Sequence, residues 1–190
     1  FTGSTMLQDV ASQIDSYYIG LDGSWNAHAL LFGIALIIAG FGFKIASVPF
    51  HMWAPDVYEG SPTPVTAFLS VASKAAGFAV ILRVFHVAFP QDVLSLDWSM
   101  IFAVMSVLSM TIGNLIAIRQ NNIKRLLAYS TVAHAGYILL GMAAVSARSG
   151  SDSYGGASGV LFYLFGYGLS NLAAFSAVIA VSNNTHSDDI

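Results

Sequence analysis

Three titratable side chains lie deep inside predominantly apolar stretches: Lys44, Lys74 and His134. Burial disfavours the charged form of an amine, so a lysine in an apolar slab can exchange a proton near neutral pH, which a lysine in water does not do. That is the chemistry of a proton relay. Neighbouring polar residues fall in register with these groups. Thr66, Ser70, Lys74 and Gly77 recur at i, i+4, i+8 and i+11, Ser130, His134 and Tyr137 make a second stripe, and Ser47 and His51 follow Lys44 with Pro49 between them. None of the ten acidic residues falls within these apolar stretches, so either a carboxylate partner for the lysines comes from other sequence or another chain, or the lysines rest neutral. With no cysteine, disulfide, thiolate-cluster and Cys-type zinc chemistry are excluded. A net charge of −3 gives no basic surface for nucleic acid.

The elements that must carry these residues are membrane helices. Of 190 residues 56% are hydrophobic and 9% charged, against about 25% charged in soluble domains. The apolar residues gather into five blocks, 27–52, 64–89, 98–118, 123–145 and 157–181, each near the roughly 20 residues that cross a bilayer. The expected fold is therefore an all-α, polytopic transmembrane bundle of about five spanning helices. Pro49 removes a backbone donor and clashes with the carbonyl four residues back, so the first spanning helix should break there, just beyond Lys44. Unwound backbone at membrane depth survives only where it is buried or lines a wet cavity, a common way to build an ion site. Lys74 stands about 16 Å into the second helix, near the middle of a hydrocarbon layer about 30 Å thick, and His134 is equally deep in the fourth. A lysine there costs about 2.5 to 3.5 kcal/mol on insertion scales and should face protein or water. Arg83, nearer a helix end, can snorkel.

Short connections force antiparallel neighbours. Arg119, Lys124 and Arg125 cluster on one side, which the positive-inside rule places in the cytoplasm. Ahead of the first span, within 1–26, Leu7, Val10, Ile14 and Tyr17 recur at helical spacing and predict a short amphipathic helix on the outer side. The chain opens at Phe1 and stops at Ile190 without terminal signals, and is expected to be an internal piece of a longer protein.

The run Phe43-Lys44-Ile45-Ala46-Ser47-Val48-Pro49-Phe50-His51-Met52-Trp53-Ala54-Pro55-Asp56-Val57-Tyr58-Glu59-Gly60-Ser61-Pro62-Thr63-Pro64-Val65 resembles the signature of the antiporter-like membrane subunits of proton-pumping NADH:quinone oxidoreductase, respiratory complex I. Ser73 to Phe78 and Lys124 to Ser130 extend the match over essentially the whole chain, and the wording is similar to the N-type branch, also called subunit 2. The resemblance implies an inverted-repeat antiporter-like fold, with 27–89 as the last two helices of the first repeat and 98–181 as the first three of the second. It implies proton translocation through Lys44, Lys74 and His134, with Pro49, His51, Ser70 and Tyr137 supporting the helix break and the channel. A subunit of a translocase with no redox site of its own is thus expected. NADH, FMN, Fe-S clusters and quinone would be held by other subunits, and the partners are the remaining membrane and peripheral subunits and the lipid bilayer. A subunit of a Na+/H+ antiporter or of a membrane-bound hydrogenase is the alternative. The implied setting is the bacterial plasma membrane, with the thylakoid or mitochondrial inner membrane as alternatives.

Overall fold

The structure, a computed structural model, describes residues 3–20, 25–89, 91–146 and 154–185. Every regular element is a helix: α1 Leu7–Gly20, α2 Trp25–Ile45, α3 Trp53–Gly60, α4 Thr63–Phe68, a π-helical turn Leu69–Ser73, α5 Lys74–Val87, α6 Gln91–Ala117, α7 Ile123–Ser146 and α8 Tyr154–Thr185. α4, the π-turn and α5 form one apolar helix of 25 residues, and with 98–117 of α6, 123–145 of α7 and 156–184 of α8 they make four candidate membrane spans.

The fifth expected span is shorter than its apolar block. α2 ends at Ile45 instead of continuing toward Met52, and its apolar part covers Leu30–Ile45. The reason is local. Ile45 is the residue whose carbonyl the Pro49 ring would strike in a continuing helix, and the chain leaves the helix at once, with Ala46 at φ 56°. The break is then pinned by bonds that a straight helix could not make. Val48 N–H donates to Ser109 Oγ of α6 at 3.0 Å, and Trp53 Nε1 donates to the Phe43 carbonyl at 2.9 Å.

α1 follows the amphipathic pattern. Ile14 is fully buried and Leu7 and Val10 pack on the main core, while Asp9 is exposed. The tightest seam joins α6 to α7. A Cβ placed on Gly136 would fall 2.8 Å from the Ser106 carbonyl and 2.9 Å from Met110 N, and Ser106 Oγ donates to the Gly136 carbonyl at 2.7 Å. Lipid supplies no hydrophobic drive for helix association, so close backbone approach over small residues and such hydrogen bonds carry it instead. Large apolar side chains point outward, as in a protein solvated by lipid: Phe162 is 80% exposed and Met100 68%.

The connections lie where antiparallel packing puts them. Arg125, at the start of α7, reaches back to α3 and pairs with Asp56 at 2.9 Å and Glu59 at 2.6 Å. Asn122 caps α7, its Oδ1 accepting from the amides of Lys124 and Arg125. The two cations at this unfavourable helix end are thus offset by a cap and, for Arg125, by two carboxylates.

Candidate functional site: a buried lysine between α5 and α7

Lys74 is the first residue after the π-turn and is 3% exposed. Its Nζ donates to the Thr131 carbonyl of α7 at 2.5 Å. Among the described residues the recorded ion pairs belong to Arg125, and none joins a carboxylate to Lys74. Thr131 is itself buried, its hydroxyl donating to the Ala128 carbonyl at 2.8 Å, with the phenols of Tyr58 and Tyr167 nearby. Tyr58 sits in α3, outside the spans, where burial pushes its phenol up to about 12, so it serves as a neutral hydrogen-bonding group at physiological pH.

One turn beyond Thr131, His134 lies half-buried in a cage of tyrosines. Its Nδ1 is 2.7 Å from Tyr163 Oη, and its ring centroid is 5.0 Å from that of Tyr167, 5.7 Å from Tyr137 and 6.0 Å from Tyr163. Tyr137 stands at the margin, 40% exposed, with Asn114 Nδ2 donating to its hydroxyl at 3.4 Å. On the other side of Lys74, Ser70 is fully buried and accepts at Oγ from Asn171 Nδ2 at 2.8 Å.

The structure therefore brings Lys74, His134 and Ser70 to one polar seam among α5, α7 and α8, with Tyr137 at its edge. Pro49, His51 and Lys44 stand apart at the end of α2. Lys44 is a correction to the expectation of a deeply enclosed amine. Because the helix stops one residue later, it occupies the last turn and is exposed in this chain, its stem alongside Gly77 of α5. The negative helix end favours a cation there by about 0.3 to 1 kcal/mol. His51 is buried against the Tyr129 ring, 6.4 Å between centroids, with no hydrogen-bond partner for Nδ1. Pro49 is exposed within the break.

Sequence reasoning missed Tyr58, Thr131, Tyr163 and Tyr167. Tyrosines in an apolar block count as hydrophobic until a partner is known for their hydroxyls. One signal was present: Tyr163 and Tyr167 are four residues apart, as are Tyr167 and Asn171, so their hydroxyl and amide groups share one helix face. A wide apolar cleft of about 1110 Å³, lined by residues including Leu31, Ile34, Trp98 and Leu140, reaches Pro49 at the break but none of the residues of the Lys74 seam. Among the described residues no group of three His, Asp or Glu side chains could hold a metal ion.

A bundle of apolar helices long enough to cross a membrane, enclosing an amine, an imidazole and several hydroxyls, defines an integral membrane protein, all-α in fold. The chain belongs to the NADH:quinone oxidoreductase/Mrp antiporter transmembrane family, whose model matches residues 1–190. It is 48% identical to the NADH-quinone oxidoreductase subunit N of Dehalococcoides mccartyi, over 100% of this chain and 39% of that protein. It is 47% identical to the subunit of the same name from Desulforamulus reducens, over 100% of this chain and 36% of that protein. Its fold is similar to a chain of respiratory complex I from Thermus thermophilus, with a TM-score of 0.62 at 41% identity over 84% of this chain and 32% of that one. It is also similar to a chain of the Mrp complex from Dietzia, with a TM-score of 0.76 at 27% identity over 95% of this chain and 30% of that one. The chain thus spans little more than a third of the length of these curated relatives.

Proposed function

We propose that the chain is the central part of an N-type, proton-translocating membrane subunit of NADH:quinone oxidoreductase, in which quinone reduction elsewhere in the complex drives proton transfer through Lys74 and His134. The observation that carries this reading is a lysine within a helix long and apolar enough to cross a membrane, buried with no carboxylate paired to it among the described residues and bonded to a helix carbonyl one turn from a histidine. In the transfer step the Lys74 ammonium becomes a neutral amine and the neutral His134 ring becomes an imidazolium, so the charge on the pair is unchanged. Both ring nitrogens then donate, one of them to Tyr163 Oη, and the remaining tyrosines shield the ring. Lys44 loads Lys74 when a carboxylate from sequence outside this chain moves or changes charge beside it; its exposed position leaves room for that partner. Segments 27–89 and 98–181 belong to successive inverted repeats. The redox groups, NADH, FMN, Fe-S clusters and quinone, belong to other subunits, which are the partners of this one in a bacterial plasma membrane.

Replacing Lys74 by Ala in the assembled complex tests this. Loss of a positioned proton-transfer group slows its step by about 100-fold or more, so proton translocation should collapse while the complex still assembles. Normal pumping by the assembled variant would refute the reading. The family description and the Mrp likeness support the Na+/H+ antiporter alternative, but the identity to subunit N relatives is nearly twice as high. Sodium-dependent transport without NADH-oxidising partners would favour that alternative.

A further inference from the structure

The helix Thr63–Val87 carries its π-turn, Leu69–Ser73, directly before Lys74. Such turns are rare, hold one residue more than an α-turn, and cluster at functional sites. Here the effect on the helix can be counted. Thr66, Ser70 and Lys74 are all buried on one face, yet eight α-helical residues would carry Lys74 about 80° past Thr66 at 3.6 residues per turn. The extra residue of the π-turn takes that rotation out.

The turn is held from outside by α8. Tyr167 Oη donates to the Ser70 carbonyl at 3.2 Å, and Asn171 Nδ2 donates to Ser70 Oγ at 2.8 Å and to Tyr167 Oη at 3.1 Å. In an unbroken α-helix the Ser70 carbonyl would receive the Lys74 amide, and that amide is directed at the Val71 carbonyl. Ser70, Tyr167 and Asn171 are all buried, where a polar group left without a partner is costly. Gly168 lets the two helices meet closely, since a Cβ there would lie 3.3 Å from Val71 Cγ1.

We infer that Tyr167 and Asn171 are positioning residues that lock the π-register and thereby aim Lys74 Nζ at Thr131. The inference rests on the reading of Lys74 as a proton-transfer group. Without the two side chains the turn anneals to α-helix, Lys74 swings by about 80°, and its amine leaves the α7 seam that also holds His134. The proton-carrying chemistry is then intact but misdirected.

The test is a Y167F/N171A double variant of the full-length subunit in the assembled complex. Of the three hydrogen bonds removed, two hold the turn, and losing those two should lower the ratio of π to α register by about 30-fold. A high-resolution structure of the variant should show continuous α-helix over 69–73, and protons pumped per electron pair should fall. Deleting Ala72, an exposed residue of the turn, should then restore pumping, because one residue fewer returns Lys74 to the Thr66 face of an ordinary α-helix. A variant structure that keeps the π-turn with Lys74 on Thr131 would overturn the inference. So would a deletion variant with Lys74 reseated on Thr131 but no recovery of pumping, since Tyr167 and Asn171 would then be carriers. Those results leave the role of Lys74 standing, whereas normal pumping by the K74A complex would remove the role of Lys74 itself.

Discussion

At the scale of single residues, the chemistry is set by which polar groups find partners in a medium that provides none. Lys74 finds a carbonyl, His134 a phenol, and Ser70 an amide. Tyr163 should matter for both stability and transfer. Its replacement by Phe keeps the ring stack on His134 but strips Nδ1 of its partner, so the subunit should lose about 1 kcal/mol of stability and pump more slowly at unchanged assembly. Thermal unfolding of the purified complex alongside a pumping assay checks both. Position along a helix is legible in the sequence, since it follows from counting 1.5 Å per residue. Enclosure of Lys44 was not legible. A residue one step before a helix end can point into or out of a bundle, and only the position of the Pro49 break, relative to Ile45, decides it.

At the scale of elements, the apolar blocks announced four spans almost to the residue, because lipid demands long unbroken runs and short polar connections. Of two irregularities, one was legible and one was not. The break of α2 just beyond Lys44 follows from Pro49, whose ring would strike the carbonyl of Ile45, four residues earlier. The π-turn was hidden in a spacing that looked ordinary: Thr66, Ser70 and Lys74 repeat every four residues, which in an α-helix drifts by about 80° yet still reads as one stripe. The break and the seam respond differently to substitution. Pro49→Ala should leave α2 ending near Ile45, because the Val48 amide and the Trp53 indole still hold their partners; a structure with α2 continued to residue 52 would show the proline alone to be responsible. Gly136→Ala is expected to be severe. Its methyl meets backbone atoms at 2.8 and 2.9 Å, and overpacking of that kind costs about 1 to 3 kcal/mol, readable as reduced yield of assembled complex.

At the scale of the whole molecule, two clusters of polar and titratable groups stand side by side. One is the helix break with Lys44 and His51, and the other is the Lys74–His134 seam; α5 touches both, through Gly77 beside the Lys44 stem and through Lys74 itself. On the connecting side, the α3–α7 contact is held by Arg125 with Asp56 and Glu59. These carboxylates are partly exposed, so Arg125→Ala should cost no more than about 1 kcal/mol, an outcome that chemical denaturation of the purified complex would reveal. The family was legible because its signature runs without a gap from Phe43 to Val65. A carboxylate partner for the lysines was not, because none of the ten acidic residues falls within the apolar blocks.

The central claim is that Lys74 works by gaining and losing a proton and not as a fixed positive charge. Arginine keeps the charge at every physiological pH but cannot give up its proton. Lys74→Arg in the assembled complex, reconstituted into vesicles and monitored for proton uptake during NADH oxidation, therefore separates the two roles. The account predicts that pumping is lost although the charge remains; pumping at the unsubstituted rate would contradict it.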